Sequence, residues 1–229
     1  TLLASSAASD VYKRQEIEDK AKKEDITMVS LNTLIEKGII SFFDGNGSPS
    51  SEFKGTGDIP YIRVKDIVNW QIYKDPTALI PDSEFKRLYK PEKALKAKDI
   101  LYVRRGSYRI GSVAMASPYD LKVILTREIL VLRVNKPENE YNLTPEYLLY
   151  ALSHQLTFEQ ANNKIFIDTT LPNIADRWKE IEIPIYNDKS KFDLINSKVK
   201  QVIKSQWDSL KEISEMKKDF EVYLSLIHI

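Results

Sequence analysis

Two segments about forty residues apart constrain the fold most: residues 59–67, IPYIRVKDI, and residues 99–111, DILYVRRGSYRIG. Both set apolar against cationic side chains at a period near two. That is the period of a β-strand with one face in a core and the other turned outward. The pattern predicts a rigid sheet platform that presents charge drawn from Arg63, Lys65, Arg104, Arg105 and Arg109, an arrangement suited to gripping an anionic polymer. Strict alternation puts Arg104 and Arg105 on opposite faces, so both can meet one ligand only where the strand ends or bulges between them.

The rest of the pattern is mixed. Residues 29–40 read as a short helix ending at Gly38, 82–88 as another, and 144–156 as a third, with Thr144 as N-cap and Pro145 at the first helical position. Residues 95–103, 112–116, 123–134 and 180–185 read as strands, with a strand pair expected around the turn at 118–120. Residues 161–187 are otherwise irregular. From 191 to 223, Ile195, Val199, Val202, Ile203, Trp207, Leu210, Ile213, Met216 and Phe220 recur mostly every three or four residues, the stripe of one long helix. The predicted class is α+β: a mixed, mostly antiparallel, β-rich domain with short helices, followed by one long C-terminal helix. Residues 44–51, DGNGSPSS, form the clearest loop. Its glycines and small side chains are expected to leave backbone amides open to a ligand at Asn46, Gly47, Ser48 and Ser50.

The ends differ from the middle. Residues 1–15, TLLASSAASDVYKRQ, and 224–229, LSLIHI, resemble read-through from sequencing adapters and are set aside. A signal peptide is not supported: no basic start precedes an apolar stretch of adequate length. Without an initiator Met, the chain is expected to be an internal fragment. Residues 16–28 then form a charged linker or helix, 29–188 the main domain and 189–223 the helix. No stretch approaches the roughly 20 apolar residues of a membrane span, and the absence of cysteine excludes a disulfide framework and thiolate metal sites. The cytosol is the default compartment.

Of 34 basic and 33 acidic residues, Lys13, Arg14 and Asp10 lie in the set-aside start, so the remainder is neutral. Bulk charge therefore announces no nucleic-acid binder. Its distribution is more telling: residues 51–110 hold 13 Lys and Arg against 8 Asp and Glu, the local excess that phosphate contact requires.

Catalytic signatures are missing. There is no Gly-rich phosphate loop ending in Lys-Ser/Thr and no strand-Gly-x-Gly dinucleotide turn. His154 reads as an ordinary helix residue. Glu180 and Glu182 share one strand face but lack a basic partner, so a solvated face is favoured over a metal-dependent nuclease centre. The positive features point to binding. Guanidinium groups pair bidentately with guanine or phosphate, Gly106 permits close backbone approach, and Ser107 adds a small donor. One of these arginines could instead pair internally with Asp99, Glu128 or another carboxylate. Tyr61, Trp70, Tyr102 and Tyr108, interleaved with the cations, suit either base stacking or a core. Lys164, Thr169, Thr170 and Asn173 lie in a stretch rich in amides and hydroxyls, which suits DNA contact or an ordinary self-capping turn.

Taken in order, GDIPYIRVKDI at 57–67, LKAKDIL at 95–101 followed by RRGS at 104–107 and IG at 110–111, PEYLLYAL at 145–152, TLPNI at 170–174, Trp178 and the segment IEIPI at 181–185 ahead of a long helix resemble the target-recognition domain of type I restriction–modification specificity subunits. The resemblance covers residues 30–223. It implies a non-catalytic α+β domain that reads one half of a bipartite site in double-stranded DNA, without cofactor or membrane. It also implies a helix that pairs with that of a second specificity half, an adenine-specific methyltransferase domain or subunit as partner, and a separate restriction subunit with endonuclease and translocase activity. A specificity subunit carries two recognition domains and two such helices, and this chain has one of each. It is then half a subunit, or the C-terminal part of a fused adenine methyltransferase. The Asn/Asp-Pro-Pro-Tyr motif of such enzymes is absent, so the chain alone is not expected to methylate. A metal-dependent nuclease and a protein-interaction adaptor with a helical arm are the alternatives.

Overall fold

The computed structural model describes residue 15 and residues 18–106, 108–136, 138–167 and 172–227, with the side chains of 167, 221 and 223–227 left aside. The set-aside residues 1–14 and 228–229, and the candidate residues Ser107, Thr169 and Thr170, lie outside the described residues.

The order is β1 (Ile26–Ser30), α1 (Leu31–Glu36), β2 (Ile40–Asp44), β3 (Ile59–Ile62), β4 (Ile67–Val68), β5 (Gln71–Ile72), β6 (Leu79–Ile80), α2 (Asp82–Leu88), β7 (Ile100–Val103), β8 (Val113–Met115), β9 (Ile124–Leu125), β10 (Ile129–Val134), α3 (Pro145–Ser153), α4 (Gln155–Asn163), β11 (Phe166–Ile167), β12 (Pro172–Asn173), β13 (Glu182–Tyr186) and α5 (Lys189–Ile227). This is the α+β class expected, with short helices and a long terminal one. The central sheet, in the order β2-β10-β7-β8, is antiparallel throughout. A smaller sheet runs β6-β3-β9, and β3 and β9 pair in parallel, Tyr61 opposite Ile124. β1 and β13 form a two-stranded ribbon.

The central sheet is covered on both sides, and this decides where charge can go. On one face Ile100 and Tyr102 of β7 join Leu130 and Leu132 of β10 in the main core, beneath α1, α3 and the first half of α5. On the other, Leu101 and Val103 join Val131, Ile129 and Ala114 against Ile62 and Leu125 of the smaller sheet and Ile67 of the β4–β5 hairpin. All four β7 residues are buried, so this strand has no outward face for arginine. A buried strand reads as a continuous apolar run, and the run ILYV ends where Arg104 begins. β3 likewise stops at Ile62, and residues 64–66 turn into a 3₁₀ helix. The cations expected on strand faces therefore stand just beyond the strand ends.

Local chemistry sets the helices. Thr144 accepts a hydrogen bond from the Tyr147 amide at 3.1 Å, with Pro145 opening α3, as the sequence predicts. Ser30 caps α1 in the same way. His154 ends α3 and caps α4, its Nδ1 accepting from the Leu156 amide at 3.2 Å. Burial pushes its pKa down. α4 starts where the helix expected over 144–156 was to end and runs to Asn163, into the stretch expected to be irregular. β1 starts at Ile26, inside the charged stretch, because it pairs with β13 some 160 residues away. The strand pair expected around 118–120 does not form: β8 pairs with β7, and β9 with β3.

α5 has 39 residues and is about 58 Å long. Phe192, Val199 and Ile203 are buried, with Ile195 and Trp207 packed on the same core. Further along, Ile213, Met216 and Phe220 are at least half exposed. Near Leu210 and Ile213, a groove of about 670 Å³ separates the helix from the β4–β5 hairpin and Tyr119. Among the described residues no helix is long and apolar enough to cross a membrane.

Candidate nucleic-acid interface

The two arginine-bearing segments meet. A groove of about 350 Å³ is lined by Arg63, Val64 and Lys65 from the end of β3, Gly106, Tyr108 and Arg109 from the loop after β7, and Thr126 and Glu128 from the turn between β9 and β10. The apolar layer shared by the two sheets holds these loops side by side.

Each cation is positioned by specific partners. At the end of β3 the Arg63 amide donates to Asp66 Oδ2 at 2.8 Å, its Nε donates to the same oxygen at 3.0 Å, and Asp66 is buried. Arg63 Nη2 also reaches Asp75 Oδ2 at 2.6 Å, and Lys65 Nζ reaches that oxygen at 3.1 Å. Burial would favour neutral Arg63, but Asp66 and Asp75 outweigh it and its pKa is raised. Asp75 is held far below the usual carboxylate range, first by the hydroxyl and amide of Thr77, then by Arg63 and Lys65. Arg63 is thus fixed in place, whereas Lys65 is 60% exposed with one ion-pair contact.

In the second segment, the Arg104 amide donates to the Glu128 carbonyl at 3.1 Å, and its guanidinium pairs with Asp44 at 2.8 Å and reaches Asp176 at 4.0 Å. Arg104 is thereby turned into the fold. Arg105 bridges Asn173, the Gly106 amide donates to the Pro172 carbonyl at 2.9 Å, and the Ile174 amide donates to the Arg104 carbonyl at 3.2 Å. Residues 104–106 are therefore stitched to 172–174, which joins Asn173 to the arginine loop. Gly106 has φ +108°, a conformation that favours glycine. Arg109 donates to the Ile67 carbonyl at 3.4 Å and lies 5.7 Å from the ring of Tyr108, which is 88% exposed. Of the interleaved aromatics, Tyr61 and Tyr102 are core residues and Trp70 packs on the core, its Nε1 donating to Ser153 at 2.7 Å. Tyr108 alone of the four stands in solvent.

The other candidates are more enclosed. Lys164 pairs with Glu180 at 2.8 Å, and Asn173 Oδ1 accepts from the Ala175 amide. In the 45–50 loop three of the amides are engaged within the fold. Those of Gly45 and Gly47 donate to the carbonyls of Ile129 and Leu125, and that of Ser50 to Glu84. Asn46 accepts from the Leu125 amide and donates to the Leu88 carbonyl. A Cβ on Gly45 would come within 2.0 Å of the Thr126 carbonyl oxygen, so glycine here serves close packing against β9. Ser48 is exposed, its hydroxyl 3.1 Å from that of Tyr61.

The internal pairing expected for one of these arginines is made by Arg104, with another carboxylate, Asp44, and not with Asp99 or Glu128. Asp99 takes Arg133 in a two-pronged pair, both contacts 2.7 Å, and none of the candidate arginines. Glu180 and Glu182 do not share a strand face: Glu180 ends a 3₁₀ helix and pairs with Lys164, while Glu182 opens β13. Among the described residues no group of three or more His, Cys, Asp and Glu could hold a metal ion. Glu128 was weighed only as an internal partner. Its place in the groove comes from the β9–β10 turn meeting the loop after β7, which no local pattern encodes.

The sequence matches no family model and no curated protein. Among solved structures, the chain is similar to the S subunit of a type I restriction–modification system from M. genitalium, with 18% identity and a TM-score of 0.51 over 85% of this chain and 43% of that one. It also aligns with the HsdS subunit from Thermoanaerobacter tengcongensis, at 16% identity and a TM-score of 0.48 over 93% of this chain and 48% of that one. At these identities the likeness is one of fold. The chain shares the fold of the M. genitalium S subunit and spans less than half of that subunit's length.

Proposed function

We propose that this chain is a non-catalytic module that recognises a sequence in double-stranded DNA for a type I restriction–modification system. The observation that carries the reading is the groove in which Arg63, Lys65 and Arg109 converge beside Gly106 and the exposed Tyr108, on a fold like that of the M. genitalium S subunit. Cations grip phosphates and fix the register, while side chains that reach base edges carry the sequence information. Lys65, Arg109 and Arg105 are the leading contacts. Arg63, already fixed by two carboxylates, serves as the frame that holds Lys65. Lys164 and Asn173 are further contacts, Ser107, Thr169 and Thr170 are added from the sequence alone, and Ser48 is the exposed hydroxyl of the 45–50 loop. Residues 29–188 form the recognition domain. The helix from 189 onward pairs through its exposed stripe with the helix of a second specificity half. An adenine-specific methyltransferase and a restriction subunit then supply the chemistry that this chain lacks.

Selection of bound duplexes from a random pool tests the reading, with the chain alone and with its methyltransferase partner. A short enriched sequence is expected. No enrichment in either format would sink the proposal.

A further inference from the structure

The groove contains one carboxylate among its cations, and phosphate gripping does not explain it. Glu128 lines the same wall as Arg63, Lys65 and Arg109. No ion pair among the described residues includes it. Its one contact of note is the Thr126 hydroxyl, which donates to Oε2. Thr126 is buried on β9's end and Glu128 is half-buried, so the carboxylate is oriented by a fixed neighbour. The Glu128 backbone is pinned as well, its carbonyl accepting from the Arg104 amide.

A carboxylate beside a phosphate is repelled, and an ionised carboxylate can only accept hydrogen bonds. With Oε2 holding Thr126, Oε1 and the remaining lone pairs are open to a donor. A DNA base edge offers donors only as amino groups. In the major groove these are cytosine N4 and adenine N6, and guanine and thymine present acceptors there. Gly106 strengthens the case: a Cβ at this position would stand 3.5 Å from Glu128 Cγ, and glycine leaves that approach to the carboxylate unobstructed.

We infer that Glu128 determines specificity: it accepts a hydrogen bond from a base amino group, cytosine first, while the cations around it hold the flanking phosphates. The inference rests on the groove being the DNA-contacting surface. A carboxylate in this position rejects guanine and thymine edges by leaving acceptor facing acceptor, so it selects by exclusion as well as attraction.

Glu128→Gln keeps the size and the Thr126 contact but can donate as well as accept. Glu128→Ala removes both. The full chain and each variant are put through random-duplex selection, followed by titration of the selected duplex with its amino-bearing base replaced by thymine. The wild type is expected to lose roughly five- to hundredfold in affinity on that replacement, the range of one good side chain–base contact. Both variants are expected to lose the preference at that single position and to retain it elsewhere. Removing a negative charge should also raise the affinity of Glu128→Ala for duplexes lacking the motif. An unchanged motif in both variants overturns the inference while leaving the recognition reading intact. A wild type that enriches nothing overturns both.

Discussion

Lys65→Ala isolates the electrostatic part of the proposed interface. Lys65 is 60% exposed, and its one ion pair among the described residues is with Asp75. Asp75 keeps Arg63 and Thr77 after the substitution. Exposed ion pairs contribute little to stability, so the melting midpoint should not move. Arg63→Ala would be a poorer probe, because it strips the buried Asp66 of its guanidinium partner. Each phosphate neutralised on duplex DNA adds about 0.9 to the slope of log affinity against log salt. Between 50 and 200 mM salt, one contact therefore accounts for about a 3.5-fold fall in affinity, and the three leading contacts, Lys65, Arg105 and Arg109, together for about 40-fold. Fluorescence anisotropy across that range, on the selected duplex and on a scrambled one, should give a slope shallower by about 0.9 for Lys65→Ala. The loss should be the same on both duplexes, since a phosphate contact carries no sequence. A slope unchanged within error, or a loss confined to the selected sequence, would refute the assignment of Lys65 to phosphate.

Other perturbations test the frame. Arg133→Ala leaves Asp99, 2% exposed, without its two-pronged partner, and urea unfolding should report a loss of about 3 kcal/mol. Glu84 ties the 45–50 loop to α2, accepting from the Ser50 amide and from Arg87. Arg87, against the opposing effect of burial and with help from the Ser50 amide, holds its carboxyl down to about 2. A depressed pKa means that its contribution is complete above the unfolded value of about 4.3 and fades as pH falls towards 2. Glu84→Gln should therefore flatten stability against pH across that window and lower it at neutral pH. Met216→Glu with Phe220→Glu, both exposed on α5, should leave circular dichroism unchanged and abolish concentration-dependent self-association in sedimentation velocity. A wild type that stays monomeric at every concentration would count against pairing through this helix with a second copy.

What the sequence made legible is what local chemistry decides. The Thr144-Pro145 start of α3, the helix at 82–88 and the long stripe of α5 follow from capping, fixed proline φ and a 3.6-residue period, and each needs only near neighbours. β7 was misread because ILYV is buried on both faces, and the arginines after it extended an apparent alternation past the true strand end. β1 was hidden in a charged stretch because its partner lies beyond residue 180. The DGNG loop looked like an open cradle because glycine signals freedom. At Gly45 it signals the opposite, a close approach that no Cβ would survive. The groove required β3 and β7 to be brought side by side through packing between two sheets. No window of sequence contains that information, so Arg63 and Arg109 could be assigned to one platform but not to a groove between loops that leave two different sheets.

The strand ends explain how such a chain can divide rigidity from chemistry. β3 ends at Ile62 and β7 at Val103, both buried, and each is followed at once by an arginine. Ile62, Leu101, Val103 and Leu125 belong to one apolar layer, so the distance between the two emerging loops is set by close-packed side chains, which tolerate little change in volume. The residues beyond the strand ends face no such limit. Lys65 and Tyr108 can be replaced without opening a cavity, whereas Leu101 cannot, since truncating a buried leucine costs about 2–5 kcal/mol. A scaffold of this kind can keep its fold while the groove's side chains change, because the groups that would touch DNA contribute little to holding the fold together.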